Sequence, residues 1–196
     1  MIKSKDDLKE YMQSDMAFYN HQSKKDRFIC FLSQDPSYLI RKYIRFLRKE
    51  EYYHNVRVDP LGKLMYLFYF RRKNILGNKL GFKIPQNCIG PGLTIYHHGE
   101  IIINESVKIG KNCKFHGRNC IGNNGIVDKS PHIGDNLDCG IGAVIVGDVT
   151  LGNHIHIGAN AVVTKSFRED NITLVGIPAQ PTYLLHSSSL SSNSNE

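Results

Sequence analysis

An aliphatic ladder with a period of six residues runs through the second half of this 196-residue sequence. Six is a multiple of the strand period of two but not of the helical 3.6, so in an extended chain these residues all face one way. A shorter run (Ile89, Ile95 and Ile101) precedes the ladder, offset by two residues. The ladder consists of Ile103, Ile109, Phe115, Ile121, Val127, Ile133, Cys139, Ile145, Leu151, Ile157 and Val163. Four residues after many of these comes a second inward set: Cys113, Leu137, Ala143, Val149, Ile155 and Ala161.

Residues that tolerate turn conformations recur two and three places after the ladder positions. Gly, Asn and Asp adopt left-handed or turn dihedral angles most readily, so each hexad is interpreted as a short strand followed by a corner. Three strands and three corners close a triangular coil, and successive coils stack as parallel strands. The pairs include Lys111-Asn112, Asn123-Asn124, Asp135-Asn136, Gly147-Asp148, Asn153-His154 and Ala159-Asn160.

The first 80 residues have a different pattern. They carry 17 Lys and Arg against 9 Asp and Glu, whereas residues 81–196 carry 8 against 9. Asp35-Pro36 and Asp59-Pro60 each combine an N-cap acceptor with a proline suited to the first helical position. The first predicted helix is amphipathic and basic; the second is apolar nearly all round, which predicts burial on several sides. A third, shorter helix is expected over Lys5 to Tyr19, and we divide the chain into a helical region 1–80, a β-domain 81–180 and a tail 181–196 whose end we expect to be disordered.

Composition excludes several classes of protein. The longest apolar stretch, "LMYLFYF", is too short to span a membrane, and the start "MIKSKDDLKEYMQSD" has no apolar run typical of a signal peptide, so we expect a cytoplasmic protein. The five cysteines are odd in number and contain no C-x-x-C pair, so we expect reduced thiols. No interleaved base-stacking pattern indicates nucleic acid.

The hexads "IGKNCK", "IGDNLD", "LGNHIH" and "IGANAV" resemble those of the hexapeptide-repeat acyltransferases. The layout of "GLTIYHHGEIIIN", an interrupting loop, "PHIG" and "GDVTLGNHIHIGANAVVTKS" is similar to the serine acetyltransferase branch, and closer still to its exopolysaccharide, colanic-acid type, O-acetyltransferases. The resemblance implies a mainly β fold, a left-handed parallel β-helix after an N-terminal α-helical region. It also implies a homotrimer, or a dimer of trimers, that uses acetyl-CoA as co-substrate.

Two adjacent histidines interrupt the strand around Ile95. His97 falls at a corner position, where its side chain can leave the prism, and the resemblance places the general base there; His98 is the reserve candidate. An imidazole suits the task of taking a proton from an acceptor hydroxyl near neutral pH. No nucleophile motif is present, so direct transfer is expected. Many relatives carry an acidic residue fifteen places before this histidine, where this chain has Phe82, which leaves Glu100 or a backbone carbonyl to orient His97.

The stretch "GNNGIVDKSPHIG" is interpreted as an extruded loop, either a plain surface loop or part of the acceptor pocket. Backbone N–H groups near Asn123 are candidates for stabilising the oxyanion. Tyr96, Asp128 and Lys129 are candidates for binding the acceptor. The resemblance implies that serine-specific members differ at these places, which favours a sugar hydroxyl on a small or lipid-linked saccharide over L-serine. A non-catalytic β-helix assembly protein is the alternative from another class.

The acetyl-CoA candidates lie later in the ladder. A simpler interpretation is that tight coils require small residues and that Lys165 is an ordinary solvated lysine. No metal is expected, because the third histidine of a metal-binding relative would fall at Leu137. The basic helices either pack the prism and the trimer or contact an anionic membrane. The cofactor-binding candidates are Gly142, Ala143, Asn160, Ala161, Lys165, Gly176 and Pro178.

Overall fold

The structure is a computed structural model that describes residues 1–21, 23–126 and 129–182. Four α-helices come first, and a 3-10 turn, Phe18–His21, follows the first of them. The helices are α1 (Lys5–Ala17), α2 (Lys24–Leu32), α3 (Pro36–Asn55) and α4 (Pro60–Leu80). The helical N-terminal region expected from the sequence is confirmed.

The two predicted aspartate caps begin their helices. The Asp35 carboxylate accepts the Ser37 N–H at 2.8 Å, and the Asp59 carboxylate accepts the Gly62 N–H at 3.3 Å. Helix α2 is an addition to the three helices predicted. Its start carries a capping box in which the Ser23 hydroxyl accepts the Asp26 N–H and the Asp26 carboxylate accepts the Ser23 N–H, a signal that the sequence analysis overlooked.

Fourteen short strands follow within the described residues, and they form three sheets that are parallel except for the last pair. The first sheet has the order β1-β3-β6-β9-β12, the second β10-β7-β4 and the third β14-β13-β11-β8-β5-β2. From β1 to β13, successive strands lie in different sheets, so the chain winds round a three-sided prism. The strands are β1 (Phe82–Lys83), β2 (Thr94–Ile95), β3 (Ile101–Ile103), β4 (Lys108–Ile109), β5 (Lys114–Phe115), β6 (Asn119–Gly122), β7 (His132–Ile133), β8 (Asp138–Cys139), β9 (Val144–Val146), β10 (Thr150–Leu151), β11 (His156–Ile157), β12 (Val162–Val163), β13 (Thr173–Val175) and β14 (Gln180–Thr182).

The ladder forms the interior of this prism. Every described ladder residue is buried, and so is every member of the second inward set. Val127 and Asp128 lie outside the described residues, as does the tail from residue 183. No described helix is both long enough and apolar enough to cross a bilayer.

The coils differ in length. Partners in register are 18 residues apart at Ile101 and Asn119, but 24 apart at Cys120 and Val144. The loop after β6 therefore adds six residues to its coil. Thr94 pairs with Lys114, 20 residues on, so the corner that holds His97 and His98 is two residues longer than a regular one. The offset seen in the sequence is a real lengthening of this corner.

Left-handed residues make the corners, as the Gly and Asn pattern predicts. The backbone φ angle is +58° at Asn112, +61° at Asn136, +57° at Asn160 and +100° at Gly147. Asparagine tolerates this conformation better than other residues with a β-carbon, because its short polar side chain can bond locally.

Helices α1 and α3 close the first coil through a buried polar network. The Arg48 side chain is fully buried; it contacts both carboxylate oxygens of Asp15 and donates to the Glu51 carboxylate and to the carbonyl oxygens of Ile89 and Gly90, at 2.7 to 3.3 Å. The Asp15 carboxylate in turn accepts the N–H groups of Gly92 and Leu93, both at 2.8 Å. The helices are therefore attached to the coil that leads into His97.

Helix α4 departs from the sequence prediction. Its apolar circumference was expected to be buried on several sides, yet its buried residues are Gly62, Lys73, Leu76, Gly77 and Leu80. The prediction was wrong because an apolar surface indicates burial only where the chain supplies something to cover it, and α4 packs mainly along α3 and β1. The exposed apolar side chains on this helix are Leu61, Leu64, Leu67, Phe68, Phe70 and Ile75.

The five cysteines are free thiols, and they should divide sharply in reactivity. Burial raises the pKa of Cys88 to about 11 and that of Cys139 to about 12, and it raises the pKa of Cys113 as well. The thiolate is the species that reacts, so Cys30 and Cys120, which are partly exposed, should be alkylated first. We expect iodoacetamide to label these two thiols in the native protein and the other three only after denaturation. Mass spectrometry of digests checks this; native labelling of Cys113 would contradict the packing.

Candidate functional site

The corners between the third and first sheets stack into one edge of the prism. This edge contains residues 96–100, 116–118, 140–142 and 158–160. His97 and His98 lie on the first of these corners along the chain, and both side chains are exposed. The structure thus places the imidazole of His97 outside the prism, as its corner position predicts.

The backbone of the next coil lies against His97. A β-carbon on Gly117, which has a φ angle of +109°, would stand 3.8 Å from the His97 β-carbon. No residue in the described part of the chain hydrogen-bonds to the His97 ring, so neither Glu100 nor a backbone carbonyl orients it within one subunit. Phe82 is buried and meets the Tyr43 ring edge-on at 5.2 Å, so this position supplies helix packing in place of a carboxylate.

The hydroxyl of Tyr19 holds the strand that carries His97. It donates to the Ile95 carbonyl oxygen at 2.8 Å and accepts the Ile95 N–H at 3.2 Å. Burial raises the pKa of Tyr19 to about 12, so the phenol stays protonated and remains a donor. The helical region therefore positions the catalytic candidate.

Sequence reasoning missed two polar residues beside His97. The ring of Tyr96 stacks on that of His116 at 4.5 Å, and the His116 Nε2 atom lies 2.8 Å from an Asp138 carboxylate oxygen. His116 follows Phe115 in the ladder as Tyr96 follows Ile95. Placing successive coils above one another would have revealed this pair. Together the three side chains form a polar and aromatic wall next to the His97 corner.

The other acceptor and oxyanion candidates lie on a different edge of the prism. Asn123 follows β6, at the corner between the first and second sheets, and Lys129 is near the end of the same loop. Strand β3 of three residues, roughly 10 Å at 3.3 Å per residue, separates this edge from the His97 edge in its coil. Lys129 makes an ion pair with Asp148 at 2.8 Å, which raises its pKa. One subunit therefore does not bring Asn123 and Lys129 together with His97, and Asp128 lies outside the described residues.

The acetyl-CoA candidates divide into interior and surface residues. Ala143 and Ala161 are 0% and 1% exposed, and their carbonyl oxygens accept the N–H groups of Cys120 and Val144. Their side chains face the interior of the prism, so the prediction that these two residues contact acetyl-CoA concerns their backbone groups. Gly142 and Asn160 lie at corners on the His97 edge. A β-carbon at Gly142 would collide with the Asn160 side-chain oxygen, so tight coiling by itself accounts for this glycine.

The last two strands form an antiparallel hairpin whose turn holds Gly176 and Pro178. Both residues are exposed, and the Gly176 carbonyl accepts the Val162 N–H at 3.0 Å, so the turn is joined to the last coil next to Asn160. Lys165 lies at the edge between the first and second sheets. It donates to the Gln180 side-chain oxygen at 3.2 Å, and its Nζ atom stands 5.5 Å from the centre of the Phe167 ring.

The remaining histidines show no metal-binding arrangement. The described residues contain no group of three or more His, Cys, Asp or Glu side chains that could hold a metal ion. His132, His154 and His156 are exposed on separate strands or corners.

The prism, its exposed corner histidine and the helical cover define a hexapeptide-repeat acyltransferase, and comparison with known proteins agrees. The chain is 33% identical over 129 residues to the putative colanic acid biosynthesis acetyltransferase WcaB of Escherichia coli K12, covering 57% of this chain and 79% of that protein. It is 32% identical over 98 residues to the serine acetyltransferase of Mycobacterium tuberculosis, covering 49% of this chain and 42% of that enzyme. The chain belongs to the hexapeptide-repeat acyltransferases and is an acetyltransferase.

Solved structures support the same fold. Serine acetyltransferase from Brucella abortus aligns over 91% of this chain and 70% of its own with a TM-score of 0.68 at 22% identity. A serine acetyltransferase in complex with CoA aligns over 91% of this chain and 71% of its own with a TM-score of 0.66 at 18% identity. The expected left-handed β-helix is thereby confirmed. No family model matches the sequence.

Proposed function

We propose that this chain transfers the acetyl group of acetyl-CoA directly to a sugar hydroxyl, with His97 as general base. The observation that carries the proposal is the exposed His97 ring, which makes no hydrogen bond to any described residue of its own subunit. One ring nitrogen takes the proton of the acceptor hydroxyl as its oxygen attacks the thioester carbonyl. The carbon–sulfur bond then breaks, and CoA leaves as the thiol after the proton returns from His97.

The site is proposed to form between two subunits of a trimer. His97 and Asn123 lie on different edges of one prism, so a single subunit offers either the base or the oxyanion donor at a given edge. In a three-fold assembly the His97 edge of one copy faces the Asn123 edge of the next. The Asn123 N–H makes no hydrogen bond to a described residue, which leaves it available for the oxyanion. Association of two trimers is a separate question, and it would depend on the exposed faces of the helices.

For acetyl-CoA, the groove above His97 is the proposed site. Asn160 at its corner and the exposed hairpin turn with Gly176 and Pro178 line this edge, and Lys165 of the adjoining subunit would meet the nucleotide phosphates as a point charge. The backbones of the Gly142 and Ala143 corner and of Ala161 shape the groove, while the two alanine side chains remain inside. The CoA complex among the structural neighbours supports this choice of donor.

A saccharide is the proposed acceptor because the wall beside His97 is aromatic and polar. Tyr96 and His116 present stacked rings, a surface suited to the apolar face of a sugar. The Asp138 carboxylate, which contacts His116, can also accept a hydrogen bond from a sugar hydroxyl. The greater coverage of WcaB, 79% against 42% for the serine acetyltransferase, supports the same choice. L-serine is the second candidate because serine acetyltransferases are among both the sequence relatives and the structural neighbours. The non-catalytic alternative is set aside by the family assignment.

An acceptor panel tests the proposal. Purified full-length protein is given acetyl-CoA with L-serine, hexoses or uncharged oligosaccharides, and thiol release is followed with a disulfide reagent after the reactive protein thiols have been subtracted. We expect release that depends on a saccharide, and mass spectrometry should find an acetyl ester on it. Rapid release with L-serine alone would overturn the sugar assignment. Acetylation of an amine in preference to every hydroxyl would overturn O-acetylation itself.

A further inference from the structure

A cationic cleft lies between helices α2 and α3, outside the site described above. Five of its lining residues are positively charged, two are aromatic, and no Asp or Glu is among them. The cations come from both helices, since one is on α2 and four are on α3. They are Arg27, Arg41, Lys42, Arg45 and Lys49, and the aromatic residues are Tyr38 and Phe46.

Arg41 is the residue that distinguishes this cleft from an ordinary solvated basic face. Its exposure is only 6%, and its Nε atom donates to the Ser37 carbonyl of its own helix at 3.3 Å. Among the described residues, its guanidinium makes no ion pair and no second hydrogen bond. Arg48, two turns further along α3, is fully buried but meets two carboxylates. A buried guanidinium is costly without a close opposite charge. The Asp35 carboxylate is near enough for the Arg41 charge to help lower its pKa, but it makes no ion pair with Arg41, so the guanidinium keeps donors for an anion in the cleft.

The walls of the cleft are held by aromatic contacts. Lys42 stands 5.6 Å above the Tyr38 ring and 6.0 Å from the centre of the Phe46 ring. Phe31 of α2 meets Tyr38 edge-on at 5.4 Å, which joins the two helices at the rim. The charged groups are thus presented by packed side chains.

We propose that this cleft binds a phosphate or diphosphate group. The fork of a guanidinium matches two oxygens of a phosphate, and lysines add further charge around it. Diphosphates are what nucleotide-linked and lipid-linked sugars carry. The statement that the bound group belongs to the acceptor rests on the proposed function; the statement that the cleft binds phosphate does not.

Arg41 of the cleft lies near Tyr19, the residue that holds the strand before His97. Burial raises the pKa of Tyr19 to about 12, and the nearby Arg41 charge opposes that rise, so the two side chains lie within electrostatic reach. Tyr19 in turn holds both backbone groups of Ile95, two residues before His97. An acceptor anchored by its phosphate in the cleft would approach the prism from the helical side.

Binding of inorganic pyrophosphate to the full-length protein tests the site without any turnover. Calorimetry compares the wild type with Lys42→Gln/Arg45→Gln, which alters exposed or half-exposed cleft residues, and with Lys63→Gln/Arg71→Gln on α4. Both double variants lose one lysine and one arginine, so their net charges match. We expect the cleft variant to bind ~10-fold or more weakly and the α4 variant to stay within ~2-fold. Equal weakening in both would show general attraction and overturn the proposal.

Two further arms separate the sources of the phosphate. A nucleotide-diphosphate sugar tests the soluble source, and vesicles with and without phosphatidylglycerol test lipid headgroups, beside which the exposed Phe28 and Ile29 of α2 would lie. Binding in either arm that the cleft variant loses and the α4 variant keeps supports the site and names its source. Absence of binding in all arms, pyrophosphate included, would overturn it.

Discussion

Replacement of His97 with alanine is expected to lower kcat/KM for acetyl transfer by ~10²- to 10⁴-fold, the usual contribution of a general base. The acceptor hydroxyl is a poor nucleophile until its proton is removed, and no other imidazole shares this corner except His98. The KM for acetyl-CoA should change little, because the substitution removes a group that acts on the acceptor. Initial rates of thiol release, with the acceptor identified by the panel, measure both parameters.

His98→Ala is the matched control for this experiment. Its side chain is also exposed, is one residue away and makes no hydrogen bond to a described residue, so it controls for loss of an imidazole at this corner. We expect His98→Ala to retain most of the activity. A large loss in His98→Ala with activity kept in His97→Ala would exchange the two roles. If both variants kept full activity, neither histidine would be the base. Thermal unfolding curves should coincide for all three proteins.

Replacement of Arg48 with methionine is expected to lower the free energy of unfolding by ~3–5 kcal/mol. Methionine fills a similar volume but leaves the Asp15 and Glu51 carboxylates buried without a cation. The carbonyl oxygens of Ile89 and Gly90 also lose their side-chain donor. Urea unfolding followed by circular dichroism gives the difference. Since this network fastens α1 and α3 to the first coil, the variant should also lose activity as the His97 corner loosens.

Arg57→Met provides the control, because Arg57 makes two contacts with Asp59, at 2.7 and 3.1 Å, in an exposed position. Such exposed pairs contribute ~1 kcal/mol or less. A small effect at Arg57 beside a large one at Arg48 would show that burial, and not the number of ionic contacts, sets the cost. Comparable losses in the two variants would contradict this account.

The β-helix could be predicted because its signal is local. Every coil must place an apolar side chain inside at fixed intervals, so the period is written along the chain from Ile103 to Val163. The same applies to the corners and to the caps at Asp35 and Asp59, where one or two residues settle the backbone conformation. Even the longer His97 corner was visible as an offset of two residues.

Other features were hidden for equally physical reasons. The loop after β6 adds six residues, which is the length of one hexad. Val127 therefore keeps the six-residue spacing of the ladder, although Ile121 and Ile133 lie on neighbouring faces of the prism. The period alone cannot distinguish an extruded hexad from a strand. Ala143 and Ala161 were assigned both an interior position and a place beside acetyl-CoA, and the tertiary structure shows the first of these.

The sequence by itself determined the three-sided coil, the helical start and the choice of His97 as the candidate base, since each depends on residues close together in the chain. Only the tertiary structure decided that Asn123 and Lys129 lie on another edge from His97, that Tyr96, His116 and Asp138 form one wall, and that Arg48 is paired while Arg41 is not. Most of these relations join residues 20 or more positions apart in the sequence. Distances across such separations depend on how the coils and helices pack, which no local pattern encodes.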